Sequence, residues 1–134
     1  MKGVTAVGGI GRFHAQNCDL GIDAANGRYY GVRVSGSTAH LTELIDVNIG
    51  RGDKLKSVPY GGLFTYGWPV FVSLDGVSID GSLSISSWTG GATDCWITAT
   101  DVAGTTTISS LFNGADSIEI DDSTFSGAVV ISTG

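Results

Sequence analysis

The chain predicts an all-β fold of short strands stacked in parallel, and three observations carry that prediction. Glycine supplies 21 of the 134 residues, about twice the usual share of roughly 7% and without a collagen-like period, so tight turns are frequent. Apolar and polar residues alternate over short runs, as in Val72-Ser73-Leu74, Val77-Ser78-Ile79 and Leu83-Ser84-Ile85, the period-2 signature of half-buried strands. The C-terminal half repeats without gaps every 23 residues: Leu74, Ile97 and Ile120 recur at that spacing, as do Ile79, Val102 and Phe125, then Gly81, Gly104 and Gly127, then Ile85, Ile108 and Ile131. A strand of three or four residues cannot bury its apolar face alone. Units carrying three of them must therefore stack, each strand pairing in parallel with its equivalent in the next unit.

Taken in order, residues 1–12 read as an apolar, glycine-rich arm, and residues 13–134 as a single domain. The first unit begins at FHAQNCDLGI, where Ala15, Cys18 and Leu20 match Leu44, Val47 and Ile49 at a spacing of 29; these match Leu74, Val77 and Ile79 at a spacing of 30. The second unit carries an apparent insertion, VPYGGLFTYGWPVF, dense in aromatics and punctuated by glycine. Units three, four and five follow the 23-residue period. Between the first and second runs of the five units lies a column of Asn17, Asp46, Gly76, Ala99 and Asp122, mostly residues that tolerate a left-handed turn. Each unit thus reads strand, corner, strand, corner, strand, loop. Five such coils make a parallel β-helix about 24 Å long at ~4.8 Å per rung.

Composition limits the partners. With 7 basic and 13 acidic residues the formal charge is −6, so nucleic acid and anionic membranes are not expected partners. No run approaches the ~18 apolar residues of a membrane span, and the opening MKGVTAVGGIGRF lacks the apolar core of a secretory signal; synthesis in a cytoplasm is expected. Cys18 and Cys95 have no short-range Cys or His companions of the kind a zinc site uses, and no cofactor is expected. Cys18 falls in the column of Val77 and Cys95 in that of Val72, about three rungs or ~14 Å apart, too far for a disulfide, so both are expected as buried free thiols.

The columns, and the segments FHAQNCDLGI and IEIDDSTFSGAVVIS in particular, resemble the right-handed, pectate-lyase-like β-helix family over roughly residues 12–134. The resemblance implies a right-handed parallel β-helix of about five coils and identifies no particular activity. Members that cleave acidic polysaccharides use aspartate clusters beside an Arg or Lys. Here Asp75 and Asp121 share one column and Asp19 and Asp101 another, with Thr98, or Asn48 and Ser78, on the rungs between. Every Lys and Arg lies at or before Lys56, leaving eight acids and no base from 57 to 134. His14 alternates with Phe13 and Ala15 and is expected on the outward face. No G-x-S-x-G accompanies the two histidines, so a nucleophilic triad has no support. No catalytic, cofactor or metal residues are expected.

The residues singled out for partner binding are of two kinds. Lys2 and Arg12 of the arm, with Arg51, Lys54 and Lys56, lie in residues 1–56, whose seven bases and five acids net +2 against −8 for residues 57–134, and are expected to face an anchoring surface. Tyr60, Phe64, Tyr66 and Trp68, in the aromatic stretch 59–71, either contact sugars or another chain or fold back over the helix flank. Neither end carries a recognisable cap for its strand edges. The whole looks like small β-helical modules of bacteriophage particles: a non-enzymatic capsid decoration (cement) protein or fibre or spike segment, a homo-oligomer with a trimer favoured, residing on the virion after assembly in the host cytoplasm. The rival expectation is a carbohydrate-binding or polysaccharide-cleaving module.

Overall fold

A computed structural model describes residues 4–7, 11–20, 30–35, 40–50, 62–67, 69–87, 91–110 and 115–133. Among these residues every regular element is a β-strand. The first five are β1 (Val4–Val7), β2 (Arg12–Leu20), β3 (Tyr30–Ser35), β4 (His40–Ile49) and β5 (Gly62–Gly67). Three strands per repeat then recur: β6 (Val70–Asp75), β7 (Ser78–Ile79) and β8 (Leu83–Ser87), next β9 (Thr93–Thr98), β10 (Asp101–Val102) and β11 (Thr106–Ser109), last β12 (Ser117–Asp121), β13 (Thr124–Phe125) and β14 (Val129–Ser132).

The pairings are parallel. One sheet runs β1-β3-β5-β8-β11-β14; the other runs β12-β9-β6-β4-β7-β10-β13, with β2 also on β4. The ten-residue β4 joins two ladders, pairing β6 through His40–Ile45 and β7 through Asn48 and Ile49. The columns hold in register: Leu74 with Ile97 and Ile97 with Ile120, Ile79 with Val102 and Val102 with Phe125, Ile85 with Ile108 and Ile108 with Ile131. The longer early spacings hold too, Ala15 pairing Leu44 and Leu44 pairing Leu74. Within the stretch expected as an arm, Val4–Val7 pairs with β3, and Arg12 opens β2 rather than preceding it.

The corner column explains how each repeat closes on one core. Leu74 and Val77 are both buried, yet three positions apart in a straight strand they would face opposite sides. A residue in the left-handed region between them restores the phase. Asn17, Asp46, Ala99 and Asp122 have φ of 51°, 51°, 48° and 45°, and Gly76 has 64°; the same correction brings Leu44 and Val47, and Ile97 and Thr100, inside together. Hydrogen bonds continue through the turn, from Gly76 N to the Thr98 carbonyl and from Ala99 N to that of Asp121.

The second corner works differently. Gly104 and Gly127 need no unusual φ; they are glycine because the repeats touch there. A Cβ on Gly104 would lie 2.6 Å from the Gly81 carbonyl carbon, and one on Gly127 would lie 2.4 Å from the Gly104 carbonyl oxygen. Both contacts are backbone, which cannot swing aside.

Inside, Leu44, Ile49, Leu74, Ile79, Ile97 and Ile108 belong to one cluster that is no more than 1% exposed. Cys95 is buried and Cys18 half-buried, both free; full burial was expected of Cys18 as well, but it sits in the outermost strand pairing of its sheet, beside β4 alone. Four buried hydroxyls, those of Thr42, Thr65, Thr93 and Thr106, have no hydrogen-bond partner among the described residues.

These features set three expectations for urea unfolding. Ala99 is a non-glycine in a conformation that costs most L-residues roughly 1–2 kcal/mol, so Ala99→Asn, the residue type at position 17, raises stability by about 0.5–1 kcal/mol, while Gly104→Ala lowers it by about 1–3 kcal/mol. Thr65→Val keeps the shape and removes an unpartnered buried hydroxyl; a gain of ~1 kcal/mol is expected, and a loss would show that the hydroxyl is satisfied after all.

Candidate functional site

Alternation along β5 buries Leu63, Thr65 and Gly67 and turns Phe64 and Tyr66 to the outer face of the six-stranded sheet, half-buried. Their rings stack with centroids 6.3 Å apart and planes 20° from parallel. Arg33, in register with Phe64 on β3, sets its guanidinium carbon 5.7 Å from the Phe64 centroid, within cation–π range. On the other side the same two columns continue as Ser84 and Ser86 of β8, then Thr107 and Ser109 of β11. The face is therefore an aromatic and guanidinium patch beside a ladder of hydroxyls. Its rings offer flat apolar area and its ladder offers hydroxyl donors and acceptors on one face.

The aromatic stretch is thus corrected from an inserted loop to, in part, a strand. Phe64 and Tyr66 are outward residues of β5, whose Leu63 pairs Leu83. Glycine and ring density masked a period-2 pattern in which Leu63 and Thr65 are the buried partners. The extra length lies earlier: Ile49 to Leu63 spans fourteen positions where Ile79 to Leu83 spans four. Lys2, Arg51, Lys54, Lys56, Tyr60 and Trp68 lie outside the described residues.

On the other sheet Arg12 is exposed and forms an ion pair with Glu43 of the adjacent strand, while His14 Nδ1 lies 2.7 Å from the same carboxylate oxygen. His14 faces outward, as its alternation indicates. The partner was legible in principle, because the 29-residue spacing of the first columns sets position 14 beside 43. Hydrogen bonding from Arg12, then from His14, holds the Glu43 carboxyl below its usual value. A further cross-strand contact runs from Asn48 Nδ2 to Asp19 Oδ1 at 2.7 Å.

The carboxylate columns fall as spaced: Asp75 and Asp121 flank Thr98, and Asp19 pairs Asn48 while Asp101 pairs Ser78. Among the described residues no group of three or more His, Cys, Asp or Glu side chains is placed to hold a metal ion. Burial, with Asp94 and Asp116 adding to it, pushes the Cys95 thiol up to about 12, so it is not a nucleophile at neutral pH.

Among the described residues most of the exposed large apolar side chains lie in the last tier. Ile120, Val129, Val130 and Ile131 are 37–52% exposed, because β12, β13 and β14 pair on one side only among the described residues. Comparison with protein-family models, curated proteins and solved structures gave no match.

The Glu43 cluster sets a pH signature. A carboxyl whose folded pKa lies below its unfolded value contributes stability that is complete above the unfolded value, near 4.5, and is lost as pH falls through the folded one. The urea midpoint of Glu43→Gln should therefore sit below that of the unsubstituted protein at pH 7, and the two should converge as the pH falls below 4.5 and the folded carboxyl takes up its proton. A gap of equal size at both ends of that range would remove the ionised carboxylate from the account.

Proposed function

We propose that the chain is a right-handed parallel β-helix of about five coils that serves as a non-enzymatic virion component, a capsid decoration protein or a fibre or spike module, and that it works as a homotrimer. The observation that supports this reading is the apolar tier of Ile120, Val129, Val130 and Ile131 on an otherwise acidic chain, since contiguous exposed apolar surface marks sites of protein association. Among the described residues short strands pair in register along two sheets, which suits a part that bears load and displays surface. The basic N-terminal half is the side suited to an acidic anchoring surface, with Arg12 already engaged to Glu43.

The patch of Arg33, Phe64 and Tyr66 favours a second reading, a carbohydrate-binding module on the same scaffold, because aromatic faces beside hydroxyls stack on sugar rings.

Native mass spectrometry separates the two. A species of three 13.8 kDa chains at micromolar concentration is expected, and a monomer throughout would overturn the trimer. Retention on an immobilised polysaccharide that is lost in Phe64→Ala, from a protein of monomeric mass, would establish the second reading in place of the first.

A further inference from the structure

Outside the last tier, one large apolar side chain among the described residues stands exposed: Trp96, at 41%. Alternation along β9 buries Thr93, Cys95 and Ile97 and turns Asp94, Trp96 and Thr98 to the outer face of the eight-stranded sheet. In its own column the indole lies between Ser73 and Glu119, neither of which offers an apolar side chain to cover it. Phe71, one strand over and on the diagonal, pairs Leu41 in turn, and both are half-buried, so an apolar strip crosses three strands to end at Trp96. Acids surround that end. Glu119 is one strand spacing away, ~4.8 Å, while Asp75 and Asp121, both in register with Thr98, lie on the diagonals at ~8 Å. Asp94 stands two positions before the indole on the same strand. Among the described residues these carboxylates have no ion-pair partner, in contrast to Glu43 farther along the column, which holds Arg12 and His14; residues 57–134 contain no base to supply one.

An indole set among unneutralised carboxylates selects its ligand by chemistry. A neutral apolar side chain would cover the ring but desolvate the acids without pairing them. A hydrated ammonium would pair the acids and gain less from the ring. A guanidinium does both, since its flat face stacks on an aromatic while its N–H groups donate to carboxylates in a fork. We propose that this face docks a basic segment of a partner polypeptide, with an arginine laid over Trp96 and its neighbouring bases against Asp75, Glu119 and Asp121. The strip of Leu41 and Phe71 receives apolar side chains of the same segment. The partner is a different polypeptide, because two copies meeting here bring the same acids with them, and the described bases of this chain are already engaged, Arg12 with Glu43 and Arg33 over Phe64. Such docking goes beyond the structural reading above and needs only the eight-stranded sheet, so it holds for a single chain and for a trimer alike.

Isothermal titration with a hexa-arginine peptide at low ionic strength should show binding that Trp96→Ala weakens by roughly threefold to tenfold, although that variant keeps every charge. Equal affinity in the variant would reduce the contact to general attraction by an acidic chain and overturn the proposal. Hexalysine should bind more weakly than hexa-arginine; equal binding of the two would overturn the assignment of arginine. Circular dichroism checks that the variants fold. Should Trp96→Ala not, Asp75→Asn with Glu119→Gln should weaken binding by about twofold to fivefold more than Asp80→Asn with Asp101→Asn, which removes the same charge beyond the first corner; no difference between the pairs is likewise fatal. Binding of cellohexaose in place of hexa-arginine, lost in Trp96→Ala, would give the face to a neutral sugar and sink the basic partner. In sedimentation Trp96→Ala should keep the mass of the unsubstituted protein, whereas a fall in mass would assign the indole to a contact between copies and overturn the docking.

Discussion

The left-handed residue at the first corner of each repeat, inside β2 and β4 and between strands in the later repeats, is the constraint on which the rest depends. Period-2 alternation carries one face of a strand inward for as long as the strand is straight, and a chain that turns without correction would bring its polar face into the core. One residue at positive φ resets the phase, and five positions do so at equivalent points, Asn17, Asp46, Gly76, Ala99 and Asp122. Because the reset falls at the same place in each repeat, the columns on both sides of it stay in register, and Leu74, Ile97, Ile79 and Val102 meet in one core. The strands themselves are as short as two residues. None would persist alone; the repetition of neighbours makes each of them a ladder rather than an isolated bridge.

Tier-to-tier contact then determines which deviations the sequence can carry. Where backbone meets backbone, at Gly104 against Gly81 and at Gly127 against Gly104, nothing larger than hydrogen fits. Where side chains meet inside, size matters more than polarity: Thr42, Thr65 and Thr106 occupy positions whose neighbours are Val72, Ile85 and Leu83, matching valine in shape while leaving a hydroxyl without a described partner. Such columns tolerate a cost in one tier because the adjacent tiers hold the register. Outside, the columns are freer, and there the cross-strand ion pair of Arg12 with Glu43 and the ring stack of Phe64 with Tyr66 appear.

Much of this is legible in the sequence, and the boundary has a physical cause. Columns separated by a constant period can be read directly, because parallel pairing puts equivalent residues side by side; the corner residues, the glycine contacts and the registers of Ile85, Ile108 and Ile131 all follow from that. Contacts between different columns or across unequal loops are harder. Arg12 reaches Glu43 along a diagonal, and Arg33 meets Phe64 in a pairing whose register shifts just before it, between Tyr30 and Val32, where no fixed period applies. Phe64 and Tyr66 read as a loop because glycine on both sides signals a turn as strongly as alternation signals a strand. Gly62 settles the matter by close approach: a Cβ there would lie 2.3 Å from the Ser82 carbonyl oxygen, so the glycine marks contact with the next tier and not a bend.

Charge gives the stack a direction. Residues 1–56 carry a net +2 and residues 57–134 a net −8, and because successive repeats add at one edge, sequence order becomes spatial order. Among the described residues the later repeats carry acids and no base, so negative charge concentrates toward the β12–β14 edge. The acidic outer columns act against side-by-side clumping over longer distances. At physiological ionic strength fields decay over about 8 Å, somewhat more than the ~4.8 Å between paired strands, so charges on adjacent tiers act on one another while those on more distant tiers are screened. The acids of successive repeats are therefore tolerated in one stack because each is set against polar neighbours such as Thr98, Ser78 and Asn48 on the adjoining rung.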